Sequence, residues 1–195
     1  MQIQVISEKQ MLTTKWSGGR TTQCAIYPPQ CVYADRDFLW RVSSATVELQ
    51  ESDFTVLPEY DRLITTIQGN IKLQHECEDM IELEPYAVHG FDGAVHTHSW
   101  GVCRDFNLML RKGQCSGQMR PIRLEQGEEL KHRAKESCSL LLYLDEGAAS
   151  IQNEGKIHRP SAGQCVEAAL SPGELFSVHA IQPIQGILCT MICKK

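Results

Sequence analysis

The chain has 195 residues, 24 acidic against 19 basic side chains, and a formal net charge of −5, which argues against a duplex-binding protein because such proteins need a basic face. No apolar stretch reaches the ~20 residues that cross a bilayer, and the opening MQIQVISEKQ lacks a basic segment followed by an apolar core, so neither membrane nor export is expected and the reading is cytoplasmic. The length suits one large domain or two small ones, with a core that holds without staples.

In chain order, KQMLTTKW (9–16) has room for a helical turn or two. FLWRVSSATVEL (38–49) alternates and is rich in β-branched and aromatic residues, which predicts a strand. LITTIQGNIKLQHE (63–76) reads as a strand, a tight turn at Gly69-Asn70 and a second strand, a hairpin signal. MIELEPYAVHGF (80–91) reads as a strand ending in a Pro-bearing turn, and CRDFNLMLRK (103–112) as a strand. SLLLYLDEGAASIQ (139–152) repeats the strand–Gly–strand look. GQCVEAAL (163–170) and GILCTMICKK (186–195) add further strands. Turn residues every ~8–12 positions predict an all-β barrel or sandwich. Both strand–Gly–strand units are followed, about 40 residues after the turn, by a final strand, FNLML and LCTMI; this hints at an internal duplication with a boundary near 113–121. The nine cysteines (24, 31, 77, 103, 115, 138, 165, 189 and 193) form no C-x-x-C. Their odd number argues against a disulfide framework and for buried thiols in a reducing compartment.

Four segments resemble one known family: KWSGGRTTQCAIYP (15–28), RDFLWRVSSATVE (36–48), FTVLPEYDRLITTIQGNIKL (54–73) and RDFNLMLR (104–111). Trp16, Gly18, Gly19 and Thr22 lie in the first. Phe38, Trp40, Arg41, Ser43 and Ala45 lie in the second, Pro58, Asp61 and Arg62 in the third, and Asp105, Phe106, Asn107 and Met109 in the fourth. In order and spacing they are similar to the HutD/Ves family, over roughly residues 10–112. The family's usual Asn-Gly-Gly-Gly is shortened here to Ser17-Gly18-Gly19-Arg20, so no role for that Asn carries over. The resemblance implies an all-β fold of two tandem double-stranded β-helix (cupin) barrels. Residues 1–112 would form the barrel with the family motifs and 113–195 a degenerate second barrel, packed as one globular unit. It also implies a cytoplasmic bacterial protein without established enzymatic activity, linked to histidine utilisation or to stress. The implied ligand is a small carboxylate such as urocanate or formylglutamate, with no cofactor.

Metal-binding cupins need imidazoles and a carboxylate on neighbouring strands, in the pattern G-x5-H-x-H-x3-4-E-x6-G. Counted back from Gly69, the Glu slot falls on Arg62 and the His slots on Thr55 and Leu57, or on Val56 and Pro58. A guanidinium at the carboxylate slot repels a divalent cation and attracts an anion. In the second half, Gly147 puts the Glu slot on Leu140. The H-x-H pair His96 and His98 lies outside these slots. Either it is a two-ligand site completed by His89, Cys103 or Asp105, or it is a pair of partly exposed histidines at a rim, which lack the third ligand a metal needs.

An anion-binding set is expected instead. Arg62 leaves a turn and enters a strand, and its fork either grips a carboxylate bidentately or pairs with Asp61 or Asp105. Arg41 and Ser43 share one strand face, as do Asp105 and Asn107. Trp16 anchors a loop or stacks on a ligand. The predicted ligand-binding residues are Arg41, Ser43, Asp61, Arg62, Asp105, Asn107 and Trp16. The competing readings are a metal-dependent isomerase or dioxygenase using His96 and His98, and a metal-free enzyme with Asp105 as acid or base. The expected partners are small molecules, without nucleic acid or membrane, for a monomer or homodimer.

Overall fold

The Gly69-Asn70 turn joins two strands, Tyr60–Gln68 and Ile71–His75, as the sequence predicts, but they do not pair with each other. A computed structural model, which describes residues 1–76 and 78–194, places them in different sheets. Gly69 has φ 81°, and a Cβ there would lie 2.5 Å from the Val102 carbonyl oxygen. Only glycine allows the chain to turn this tightly against the residue that precedes the Cys103–Arg111 strand. The same device recurs at Gly147, with φ 84° and a Cβ that would lie 1.9 Å from the Pro183 carbonyl oxygen, just before the strand Ile184–Cys193. The expected hairpins are therefore corners that carry the chain from one sheet to another.

The fold is all-β, with helix limited to the short 3-10 turns Glu8–Gln10 and Tyr33–Asp35 among the described residues. The helical turn expected over 9–16 is mostly the strand Leu12–Trp16. The chain divides into Met11–Ser116 and a second unit made of Met1–Gln10 with the chain from Gly117 onward. The sequence reading assigned residues 1–10 to the first unit. Instead the strand Gln2–Ile6 pairs antiparallel with Cys165–Leu170, Gln2 opposite Ala169 and Ile6 opposite Cys165.

Within Met11–Ser116, a six-stranded sheet runs in the order Leu12–Trp16, Gly19–Tyr27, Trp40–Val47, Cys103–Arg111, Tyr60–Gln68, His89–Asp92. A four-stranded sheet runs Glu51–Asp53, Thr97–Trp100, Ile71–His75, Ile81–Leu83. The stretch 80–91, read as a strand ending in a Pro-bearing turn, holds the strand Ile81–Leu83 before Pro85, and a further strand, His89–Asp92, then joins the other sheet. Apolar side chains such as Ile64, Leu73 and Leu83 form one core cluster, and Phe38, Leu57, Tyr60 and Met109 another. The second unit has a five-stranded and a four-stranded sheet and one large core cluster that includes Leu140, Leu142, Leu144, Phe176 and Leu188.

Among the described residues, Cys24, Cys31, Cys103, Cys138, Cys165 and Cys189 are in the thiol form, outside any disulfide. Cys77 lies outside the described residues. Cys115 and Cys193 each stand in a disulfide bond, which departs at these two positions from the expectation of buried thiols. They begin and end strands that lie side by side in one sheet, a placement that sequence spacing does not reveal.

Candidate functional site

Strand register assembles the site. In the six-stranded sheet the Cys103–Arg111 strand lies between Trp40–Val47 and Tyr60–Gln68. Met109 stands opposite Arg41 on one side and Arg62 on the other; Asn107 stands between Ser43 and Ile64, and Asp105 between Ala45 and Thr66. Directly opposed residues share a face and the side-chain period is two, so these three rows make one continuous surface. Gln23 extends the middle row, opposite Ser43. The two arginines start two strand spacings apart, about 10 Å at the backbone.

This face is buried. Arg62 is 7% exposed, Arg41 5%, Asp105 7%, Asn107 5% and Ser43 3%. The Arg41 guanidinium donates from Nε to Gln23 Oε1 at 2.8 Å and from Nη1 to Ser43 Oγ at 3.0 Å, and lies 4.1 Å from the Tyr33 ring centre. Arg62 donates from Nη1 to the Thr55 carbonyl at 3.3 Å and lies 5.0 Å from the rings of both Phe54 and Phe91. Neither guanidinium has a carboxylate within ion-pair distance among the described residues. Arg62 Nε, Asn107 Oδ1 and Thr66 Oγ1 are buried without a hydrogen-bond partner. Buried polar atoms are normally satisfied, and a buried unpaired charge is expensive.

Asp105 accepts the Ala45 backbone N–H at 3.0 Å. Burial pushes its carboxyl up to about 6, against the lowering effects of that bond and of Arg62 and Arg41. Burial lowers Arg62 to about 10, with Tyr33 and Asp105 acting in the opposite direction. Burial also lowers Arg41. Near neutral pH the face holds two guanidinium charges against at most one carboxylate, so its net charge attracts an anion.

Five predicted residues, Arg41, Ser43, Arg62, Asp105 and Asn107, share this surface; two do not. Asp61 follows strand alternation to the opposite, exposed face, beside Asp92. Trp16 ends the outer strand Leu12–Trp16, is 39% exposed, and has its ring over Gly18 and near Leu49. His96 and His98 contact Asp53, at 3.5 Å from His96 Nε2 and 2.7 Å from His98 Nδ1. His98 Nε2 is 3.7 Å from Glu51. No group of three ligating side chains poised for a metal occurs among the described residues.

Gln23, Thr66, Tyr33, Phe54 and Phe91 also belong to this neighbourhood and were missed. Alternation from Thr21 could have shown Gln23; the rest depend on pairing between distant strands. His75 and His89 were missed as a pair. They meet at Nε2–Nε2 2.8 Å, although they come from strands of different sheets.

The HutD family model matches residues 8–180. Protein Ves of Cronobacter sakazakii (strain ATCC BAA-894) is 28% identical over 126 residues, 57% of this chain, and the match spans 62% of that relative's length. A Pseudomonas aeruginosa PAO1 protein of unknown function superposes with a TM-score of 0.82 at 20% identity, covering 98% of this chain and 99% of that one. HutD from Pseudomonas fluorescens SBW25, solved in a formate condition, superposes with a TM-score of 0.77 at 19% identity over 100% of both chains. More distant cupin-like structures share the fold. With motif residues of three neighbouring strands on one face and a family match over most of its length, the chain belongs to the HutD family.

Proposed function

We propose that the Met11–Ser116 unit is a binding module for a small carboxylate, held between Arg62 and Arg41. The observation that carries this reading is the pair of buried guanidinium groups with no carboxylate partner, beside an unsatisfied Arg62 Nε. A ligand carboxylate would accept two parallel bonds from a guanidinium fork, and charge-assisted bonds of this kind contribute about 1.5–3 kcal/mol each. Asn107, Ser43 and Gln23 would orient it, and Phe54 and Phe91 would wall it. Asp105, protonated, would donate to it. On this reading each unit is a cupin barrel, and only the first carries a site. The module acts in the cytoplasm without a cofactor, as a monomer or homodimer, and it moderates histidine utilisation or a stress response by sensing urocanate, formylglutamate or a related acid. Thermal denaturation tests it: urocanate, formylglutamate or formate raises Tm, and Arg62→Ala removes the rise. An unchanged Tm with urocanate and formylglutamate defeats the histidine-pathway version, and an unchanged Tm with all three defeats the carboxylate site.

A second reading is favoured by one observation. Asp105 has its carboxyl raised to about 6 within reach of the arginines' field, which suits a general acid or base. A turnover screen of the same acids tests it, and the absence of any conversion removes it.

A further inference from the structure

Next to Arg62 lies a feature that the carboxylate site does not use. His75, on Ile71–His75, and His89, on His89–Asp92, approach Nε2 to Nε2 at 2.8 Å, with their rings stacked 5.0 Å apart. The remaining His75 nitrogen, Nδ1, lies 2.8 Å from Thr97 Oγ1, and Thr97 Oγ1 itself donates to the Val95 carbonyl at 3.3 Å. With its hydrogen on Val95, the Thr97 oxygen accepts from His75 Nδ1–H. His75 Nε2 is then bare and accepts from His89 Nε2–H, which leaves His89 Nδ1 as the basic atom. His75 is 3% exposed, whereas His89 is only partly buried, so the open nitrogen is on the ring nearer to water.

This arrangement accepts one proton and resists a second. A proton on His89 Nδ1 makes an imidazolium whose Nε2–H still donates to His75, now as a stronger charge-assisted bond. A second proton would have to occupy His75 Nε2, which would destroy the bond and oppose two cations. Phe91 links the pair to the site. Its ring lies 4.8 Å from His75 and 5.9 Å from His89, and the Arg62 guanidinium lies 5.0 Å from it on the site side.

We propose that the His75–His89 pair is a one-proton element that couples occupancy of the Arg62 anion site to proton uptake. The coupling rests on the carboxylate-binding reading. An anion at Arg62 offsets the guanidinium field that opposes a proton on the pair, and by linkage a proton on the pair tightens the anion. The charged groups acting on the pair are Arg62, which disfavours protonation at His75, and Glu78, which favours it at both rings. From the Tyr60–Gln68 strand it faces Arg62 and Ile64, from His89–Asp92 the Phe91 ring, and from Thr97–Trp100 the Thr97 hydroxyl. His98 is held by Asp53 instead. Burial lowers both imidazoles below the ordinary histidine value, so the pair is neutral at pH 7 and charges on acidification.

The experiment follows the histidine ring nitrogens of the full chain by NMR from pH 5 to 8, with and without saturating formate, which stays ionised over that range. His75 and His89 are expected to titrate together as one proton, with a midpoint that rises in formate. Formate then binds about three- to tenfold more tightly at pH 5 than at pH 8. Asp105 also charges in this window, so the comparison is repeated in Asp105→Asn, where the midpoint shift persists. Arg62→Gln abolishes the shift, and His89→Phe, which keeps the ring stack, removes the shared titration. Formate binding that depends on Arg62 but leaves the pair's midpoint unmoved overturns the coupling and spares the carboxylate site. Two protons taken up between pH 5 and 8, or independent titration of the rings, overturns the one-proton pair. No formate binding at any pH defeats the carboxylate reading and the coupling with it.

Discussion

In the Met11–Ser116 unit ten polar or charged residues are buried, whereas the second unit buries none among its described residues. The two halves nonetheless turn corners in the same way. Counted from Gly69 and Gly147, Arg62 corresponds to Leu140, Ile64 to Leu142 and Thr66 to Leu144. Register agrees: Asn107 pairs with Ile64 in one half, and Leu188 with Leu142 in the other. Asp105 pairs with Thr66, and Gly186 with Leu144. One plan thus supports two interiors. Where leucines and Gly186 fill the positions, dispersion and hydrophobic burial close the unit. Where arginine, aspartate and asparagine occupy them, the unit retains charge that its own chain does not satisfy. The difference teaches that the site is a local exchange of side chains on a shared scaffold, made at some expense to stability.

Four substitutions probe that contrast. Leu140→Arg would place the first unit's charge in the filled unit, where nothing can satisfy it. It is expected to destabilise by at least about 4 kcal/mol in chemical denaturation, and near-wild-type stability would break the comparison. Asp105→Asn comes next. Asp105 titrates near 3.9 in the unfolded chain and at about 6 when folded, so the folded state binds the proton more tightly. Its penalty is full above about pH 6 and is relieved as pH falls towards about 4. The substitution should flatten stability across that window and stabilise the protein at pH 7, on the order of 3 kcal/mol. Arg62→Leu, the reverse exchange, is expected to raise stability without ligand by about 1–3 kcal/mol while removing any Tm rise with formate; a loss of stability would mean the guanidinium is satisfied after all. His98→Ala, which breaks a half-exposed contact with Asp53, should change stability by less than about 0.5 kcal/mol and leave formate binding intact.

Much of this was legible in the sequence. Period-two alternation put Asp105 with Asn107 and Arg41 with Ser43, because a strand's geometry fixes which neighbours share a face. The failed metal pattern pointed to Arg62, since a cation at a carboxylate slot reverses the charge of the ligand sought. Asp61 lies off the face that carries Arg62 because adjacent residues of one strand face opposite ways. The choice between inward and outward faces at Trp40 and Arg41 was not decidable from alternation, and the structure shows why, because both are buried. The Gly turns were read as hairpins because a tight glycine turn looks alike whether the next strand pairs with the last or crosses to another sheet. The histidine pair was invisible, since nothing in the spacing of residues 75 and 89 announces that strands of different sheets meet there.

The pairing of Gln2–Ile6 with Cys165–Leu170 has a consequence for the order of events on the ribosome. The strand Gln2–Ile6 joins a neighbour that starts 159 residues later (165 minus 6). At ~5–20 residues per second that delay is roughly 10–30 s. During it the Met11–Ser116 segment has all of its own strands and can close, while Gln2–Ile6 waits with an open edge that invites wrong pairing. The nascent chain is most exposed to chaperones and proteases in that interval, and synthesis of Cys165–Leu170 ends it.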